Sequence, residues 1–334
     1  MKIGIDAMGG DYAPKEIING SLMAAEKFKD IELVFFGDEL QIVSEINTHD
    51  SALHDRIEIV HTDEVISNDD PPVAAIKNKK NASLSRGLDY LKENKIDVFI
   101  SAGSTGALMA GALLKLGRIP GIDRPALVPS LPTATGLVAL IDGGSNTDCK
   151  PINLIQFAMM GSIYAEEVLG VKNPRIGLLN IGTEEEKGNE LAKQTYGRLK
   201  ELPLNFVGNI EGRDVPYGKC DVLVCDGFVG NAVLKSMEGI ASLIIDMLKA
   251  EMKKNYLTKF GALLLKSGFK NILKKMDYKE YGGAPLLGID GIIIKAHGNS
   301  DARAFLNALV QARTFVEHDV LNHLRTQVSN IGVD

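Results

Sequence analysis

The residues able to do chemistry gather where short apolar runs end. Four times a run rich in Ile and Val stops in a turn of small residues that opens a helical pattern. The turns are Ser101-Ala102-Gly103-Ser104-Thr105-Gly106, Asn180-Ile181-Gly182-Thr183, Asp226-Gly227-Phe228-Val229-Gly230-Asn231 and His297-Gly298-Asn299-Ser300. Glycine lets a backbone approach a ligand closely. Free N–H groups at a helix start, with the positive end of the helix dipole, favour an anion. One such turn says little, because most strand-to-helix turns bind nothing; four in one chain point to an anionic ligand. In open α/β sheets these turns sit at the carboxyl ends of the strands, where ligands gather.

The side chains on these turns admit two readings each. Lys187 follows Glu184-Glu185-Glu186; spacing alone favours a solvated helix start, and the alternative is a cation aimed at phosphate. Asp226 reads as a helix cap and Asn231 as a first-turn residue, or both as site residues. Asp6 and Asp11 flank Ala7-Met8-Gly9-Gly10 and could hold Mg²⁺, although a turn-and-cap role weighs as much; no metal site or cofactor is assigned. Absent motifs narrow the field. The chain has no GxGxxG, no GxxxxGK, no GxSxG and no HExxH, which removes the common dinucleotide, P-loop, nucleophile-elbow and zinc-helix signatures. The three cysteines, Cys149, Cys220 and Cys225, are odd in number with no CxxC pair, unlike a disulfide scaffold or structural zinc site.

These turns need elements to hold them. Strands are expected at Lys2–Ile5, Glu32–Phe36, Ile57–His61, Val98–Ser101, Leu137–Ile141, Ile176–Asn180, Asn205–Gly208, Val222–Cys225 and Gly291–Lys295. Helices are expected at Lys15–Phe28, Leu84–Glu93, Thr105–Leu116, Leu154–Leu169, Asn189–Leu199, Asn231–Met252 and Ala302–Leu324. The alternation predicts an α/β fold with mainly parallel sheets. Punctuation near Asp142–Asn146 and Tyr281–Pro285 predicts an insertion: 1–145 plus 286–334 form a first domain and 146–285 a second. The 334 residues suit two domains. A net charge of −6 argues against a general nucleic-acid binder. The N-terminus lacks a signal-peptide pattern and no stretch reaches about 18 apolar residues, so a cytoplasmic protein is expected.

The segment 249–279 stands apart. It holds nine lysines and two acids, a net +7 in a chain of −6. On a helical projection Leu257, Phe260, Leu264, Leu265, Phe269, Ile272 and Met276 share one face, and Lys259, Lys266, Lys270 and Lys274 the other. Gly261 and Gly268 are expected to break it around an apolar tip, Ala262-Leu263-Leu264-Leu265. A peripheral contact with an anionic bilayer is read slightly ahead of a core helix pair or a dimer contact.

With these residues in view, the chain resembles the bacterial phosphate acyltransferases of phospholipid synthesis. The resemblance runs through nearly the whole chain. It rests on Gly4-Ile5-Asp6-Ala7-Met8-Gly9-Gly10-Asp11, Ser101–Ala107, Asn146-Thr147-Asp148-Cys149-Lys150-Pro151 with Gln156-Phe157-Ala158, Asn180–Glu185 with Lys187-Gly188, Cys225–Asn231 and His297-Gly298. One departure is Asp142-Gly143-Gly144-Ser145-Asn146, where Asp-x-Gly-Ala-Asn is expected. The resemblance implies a two-domain fold like the isocitrate and isopropylmalate dehydrogenases and phosphotransacetylases, with a cleft between domains, and a homodimer. It implies transfer of a fatty acyl group from acyl carrier protein to inorganic phosphate. The acyl phosphate would feed a downstream glycerol-3-phosphate acyltransferase, and the enzyme would associate peripherally with the membrane.

Under that reading Lys187, Asn231 and Asp226 are the catalytic candidates. Ser104, Thr105, Gly106, Asn146, Lys150, Asn180, Gly227, Gly230 and His297 are the substrate-binding candidates. Leu257, Phe260, Leu263, Leu264, Leu265 and Phe269 are the membrane-contact candidates. Phosphate is itself a nucleophile, so no serine or cysteine intermediate is needed. A coenzyme A-dependent short-chain transferase, a nicotinamide-dependent decarboxylating dehydrogenase and a non-enzymatic membrane scaffold are the rival readings.

Overall fold

The computed structural model describes residues 1–48, 51–269 and 281–330. Two sheets organise the chain. The first has seven strands: β1 (Lys2–Asp6), β2 (Glu32–Gly37), β3 (Ile57–His61), β4 (Val98–Ser101), β5 (Ala126–Leu127), β11 (Ala284–Leu287) and β12 (Ile293–Lys295), in the order β3-β2-β1-β4-β12-β11-β5. The second has five: β6 (Ser130–Pro132), β7 (Leu137–Ile141), β8 (Ile176–Asn180), β9 (Phe206–Glu211) and β10 (Val222–Val224), in the order β6-β7-β10-β8-β9. Strands β3-β2-β1-β4-β12 run parallel, as do β7-β10-β8-β9; β11 and β6 pair antiparallel. The central strands lack polar alternation because helices cover both faces: all four residues of β4 are buried.

The helices are α1 (Lys15–Lys27), α2 (Glu39–Ile46), α3 (Pro72–Asn78), α4 (Ser83–Lys92), α5 (Thr105–Lys115), α6 (Pro151–Glu167), α7 (Glu190–Glu201), α8 (Gly227–Lys253), α9 (Tyr256–Leu264), α10 (Ala302–Glu317) and α11 (Val320–Asn330). The expected strands and helices are all present, with shifted ends. Helix Ala302–Leu324 is instead two, α10 and α11, divided at Asp319, which takes φ +50°. Pro151 starts α6 at its first turn, where no N–H is needed. That helix buries Leu154, Phe157, Ala158, Met160 and Tyr164. The Tyr164 hydroxyl meets Ser130 Oγ at 3.1 Å and accepts from Gln311 Nε2 at 2.8 Å, tying α6 to β6 of the second sheet and to α10.

The chain passes from the first sheet to the second between β5 and β6, ahead of residue 145, because β6 and β7 belong to the second sheet. Asn255 caps α9 through Thr258; the breaks fall at Lys254-Asn255 and at Leu265, whereas Gly261 lies inside α9 and Gly268 in the helical turn 266–269. Residues 270–280, including Lys270, Ile272, Lys274, Lys275, Met276 and Lys279, lie outside the described residues. By length and mean hydropathy (1.4) α8 is of the size of a membrane span, while Asn231, Lys235, Ser236 and Glu238 interrupt its apolar run. Lys235 and Glu238 pair inside it at 2.8 Å.

Candidate functional site

Strands β1, β4 and β12 end side by side, so the turns after them share one edge of the first sheet. Under that edge lies Asp6, 2% exposed. Its carboxylate accepts from Ser83 Oγ at 2.6 Å and Ser101 Oγ at 2.7 Å. Ser101 Oγ in turn accepts from the Gly103 N–H at 3.0 Å. Burial raises the Asp6 pKa, and the two serines and the Met8 N–H pull it back. Asp6 thus braces the turn 101–106 from below. A side chain at Gly9 would meet the Asp6 carboxylate at 2.5 Å and the Gly103 nitrogen at 2.7 Å, which is why the Gly9-Gly10 turn stays bare. The Asp11 N–H closes on the Gly298 carbonyl at 2.8 Å.

The second sheet brings β7, β10 and β8 to a matching carboxyl edge. Asp142, fully buried at the end of β7, organises it. Its carboxylate accepts from the Leu127 and Gly144 N–H groups at 3.1 Å, the Ser145 N–H at 3.0 Å and the Asn146 N–H at 2.6 Å. Asn146 spends its side chain on the same loop, donating to the Asp142 carboxylate at 2.9 Å and to the Pro125 carbonyl at 2.7 Å. The start of α8 packs on this loop. Added side chains would drive Gly230 into the Asp142 carbonyl and put Gly227 2.7 Å from its carboxylate. Asp226 caps α8, accepting from the Val229 N–H at 2.9 Å.

Between the two edges lies a cavity of about 850 Å³. Its polar end has Gly103, Thr105, Asn231, Lys235, Lys295 and His297; its wall has Leu127, Leu131, Leu234, Met237, Ile240 and Ile244. That is the make-up of a pocket for an amphipathic ligand: a mostly apolar lining with a few convergent polar groups. The half-buried His297 is bracketed by charge: Lys235 Nζ lies 3.4 Å from its Nε2 and 2.8 Å from Glu238. Burial and the Lys235 cation lower its pKa, which favours the neutral imidazole.

Of the candidates read from sequence, Thr105, Asn231 and His297 line the cavity. Gly144 brings its backbone against Asn231: a side chain there would lie 3.3 Å from Asn231 Cβ. Ser104 caps α5, and Gly106 packs on Pro72. Gly227 and Gly230 serve the packing of α8. Lys150 is exposed at the start of α6. Lys187 is exposed on the loop after β8, one strand from β10 on the same edge and outside the cavity lining. Asn180 holds that loop, donating to the Lys187 carbonyl at 3.0 Å. The sequence reading passed over Lys295, a single cation that closes the apolar run Ile292-Ile293-Ile294 two positions before His297.

Helices α8 and α9 expose apolar side chains: Leu243 and Met247 on α8, and on α9 Leu257 (84% exposed), Phe260, Leu263 and Leu264 (69%), followed by Leu265. Phe269 is half-buried.

Comparison with known proteins gives one answer. The family described as "Fatty acid synthesis protein" matches residues 1–323. The phosphate acyltransferase of Thermoanaerobacterium thermosaccharolyticum is 57% identical over 334 residues, covering 100% of this chain and 98% of the relative. That of Clostridium tetani is 52% identical, covering 99% of each. Among solved structures, a branched-chain phosphotransacylase from Enterococcus faecalis aligns with TM-score 0.60 at 15% identity over 95% of this chain and 99% of the other. A phosphotransacetylase from Streptococcus pyogenes aligns with TM-score 0.59 at 15% identity over 95% and 94%. At that identity the structures speak to fold alone.

Proposed function

The chain belongs to the bacterial phosphate acyltransferases of fatty acid and phospholipid synthesis, and on that premise we propose that it moves a long-chain fatty acyl group from acyl carrier protein to inorganic phosphate. The observation that carries the reading is the cavity, polar where the two carboxyl edges meet and apolar along α8. A phosphate oxygen attacks the thioester carbonyl carbon, a C–O bond forms, and the tetrahedral oxyanion collapses with loss of the thiolate, which takes up a proton as the free carrier thiol. Holding phosphate beside the carbonyl removes much of the entropic barrier, and a fixed donor to the oxyanion is worth about 3–4 kcal/mol. Asn231 supplies such a donor, with the backbone of 103–106. Lys187 would approach from the neighbouring loop of the same edge, and Asp226 keeps α8 in place.

Length favours a long chain over the short acyl groups of a coenzyme A-dependent relative. Cavity-lining residues on α8 run from Asn231 to Ile244, about 20 Å at 1.5 Å per residue. A sixteen-carbon chain extends about 19 Å, each C–C bond of about 1.5 Å advancing about 1.25 Å. The acidic carrier protein and an anionic bilayer both suit the basic segment 249–279, and the exposed apolar face of α8 and α9 supports peripheral membrane contact by a cytoplasmic homodimer. Two domains about the cavity, each built on one sheet, complete the reading.

The test is phosphate-dependent release of thiol from palmitoyl–acyl carrier protein, with acyl phosphate trapped as a hydroxamate. Release that requires phosphate and matches the hydroxamate supports the reading. No release, or release indifferent to phosphate, overturns it. Binding to vesicles without turnover would support the scaffold alternative.

A further inference from the structure

Lys295 has a geometry that its two structural hydrogen bonds explain only in part. It closes β12, a strand in the middle of the first sheet, and is 8% exposed. Its ammonium donates to the Ala102 carbonyl at 3.3 Å and to the Ala296 carbonyl. An ammonium carries three donors; the third has no acceptor among the described residues, and no carboxylate there lies within ion-pair distance of it. The same side chain lines the polar end of the cavity beside Gly103, Thr105 and Asn231. Burying a cation is costly unless it is paired, and here no pairing group stands among the described residues while the cavity provides room for one.

We infer that Lys295 is the binding residue for the phosphate nucleophile, its third N–H reaching a phosphate oxygen that the Gly103–Thr105 backbone holds from the other side. The inference rests on the acyl-transfer reading, which it deepens by placing the anion at the first sheet's edge. The two carbonyls act as a fixed mount: they aim the ammonium and cannot neutralise it, so its charge is left for the ligand. The other charged groups facing it are Asp6 and Asp11 beyond β1, which favour the cation, and Lys235 on α8, which disfavours it. Glu238 and His297 stand at the same end. Burial is the largest influence and lowers the pKa from 10.5 to about 8. Phosphate affinity should therefore fall as pH rises through that value.

The experiment compares the full-length protein with Lys295→Met and Lys295→Arg in two ways: steady-state thiol release with phosphate and acyl substrate varied in turn, and direct binding of inorganic phosphate by calorimetry from pH 7 to 10. Expected are a rise in the phosphate KM of at least about 30-fold in Lys295→Met with the acyl KM within about threefold, and phosphate binding by the unaltered protein that weakens above pH 8. Lys295→Arg should retain binding to higher pH, since guanidinium stays charged. An unchanged phosphate KM in Lys295→Met, or wild-type phosphate binding flat from pH 7 to 10, overturns the inference. Should Lys295→Met fail to fold, Lys295→Arg decides: phosphate binding that is lost over the same pH range as in the wild type overturns the inference. If phosphate binds with this pH profile but no thiol is released, the acyl-transfer reading falls and the phosphate site stands.

Discussion

Replacing Lys295 with methionine should make this protein more stable at neutral pH, although it removes a buried side chain's hydrogen bonds. Burial holds the Lys295 pKa at about 8 in the folded protein, against 10.5 for the free group. The folded value is the lower one, so between these two pH values the unfolded chain binds more protons. Stability contributed by this group therefore rises with pH across that window, and below it the folded protein bears the full cost of a buried charge. A difference of that size corresponds to about 3 kcal/mol, at about 1.36 kcal/mol per pH unit. Methionine removes that cost but strands the Ala102 and Ala296 carbonyls that the ammonium satisfies, a loss of about 1 kcal/mol for each. The net expectation at pH 7 is a gain of about 1 kcal/mol, reversing to a loss near pH 10.5, where the wild-type lysine is neutral. Denaturant midpoints at constant slope, measured for both proteins from pH 6.5 to 10.5, give the difference directly. Parallel curves through pH 8 to 10.5 would refute the reasoning, since they would mean Lys295 titrates alike in the folded and unfolded chains.

Four further outcomes are expected. Asp142→Ala should cost at least about 3 kcal/mol in urea unfolding, because four backbone N–H groups lose their acceptor; an unchanged midpoint would remove Asp142 as the organiser of its loop. Gly230→Ala should destabilise by about 1–3 kcal/mol through collision with the Asp142 carbonyl, whereas Gly239→Ala, on the same helix with nothing within 4 Å, should stabilise by up to about 1 kcal/mol; equal effects in thermal melts would contradict this packing. Ala241→Trp, on the cavity wall, should lower the kcat/KM ratio of sixteen-carbon over eight-carbon substrates at least about tenfold, and an unaltered ratio would show that the acyl chain runs elsewhere. The buried Cys220 and the half-buried Cys149, their thiols pushed up to about 12 chiefly by desolvation, should resist iodoacetamide at pH 8 in the native protein and react on unfolding; equal labelling rates would contradict these raised pKa values.

Periodicity carries the fold well where burial is two-sided. Strands such as β2 and β4 carry unbroken apolar runs, Leu33–Phe36 and Val98–Ile100, because helices cover both faces. β5, β6 and β11 are short, and β6 and β11 contain prolines; their pairing is decided by partners far along the chain, so no local signal marks them. Helices α2 and α3 were missed for a similar reason: α3 begins at Pro72 after Pro71 and buries only Ala75 and Ile76. Within the site, glycine-rich turns were legible because close backbone approach leaves a compositional trace. Asn231, Thr105 and His297 stand at the cavity as part of those turns. The scaffolding roles of Asn146, Asn180 and Asp226 were less legible, since a polar side chain that braces a loop and one that binds a ligand have the same residue type and spacing. Lys295 escaped because a lone cation at a strand end is ordinarily a solvated one; only the three-dimensional crowding of β4, β11 and β12 makes it buried.

The strand order has a consequence for how the molecule is made. β12 sits between β4 and β11, and β5 pairs with β11 at the sheet's edge, yet β11 and β12 are encoded after the whole of the second sheet. A chain emerging from the ribosome therefore exposes the unpaired edge of β4 while nearly 200 residues are translated between Ser101 and Ile293. At about 5–20 residues per second that edge stays open for roughly 10–40 seconds, long enough to pair wrongly with a neighbouring nascent chain. The second sheet, contiguous in sequence, can close during that interval, and the arrival of β12 then completes the first sheet and delivers Lys295 in the same step. Occupancy of the anion site thus becomes a report that synthesis has reached the last strand.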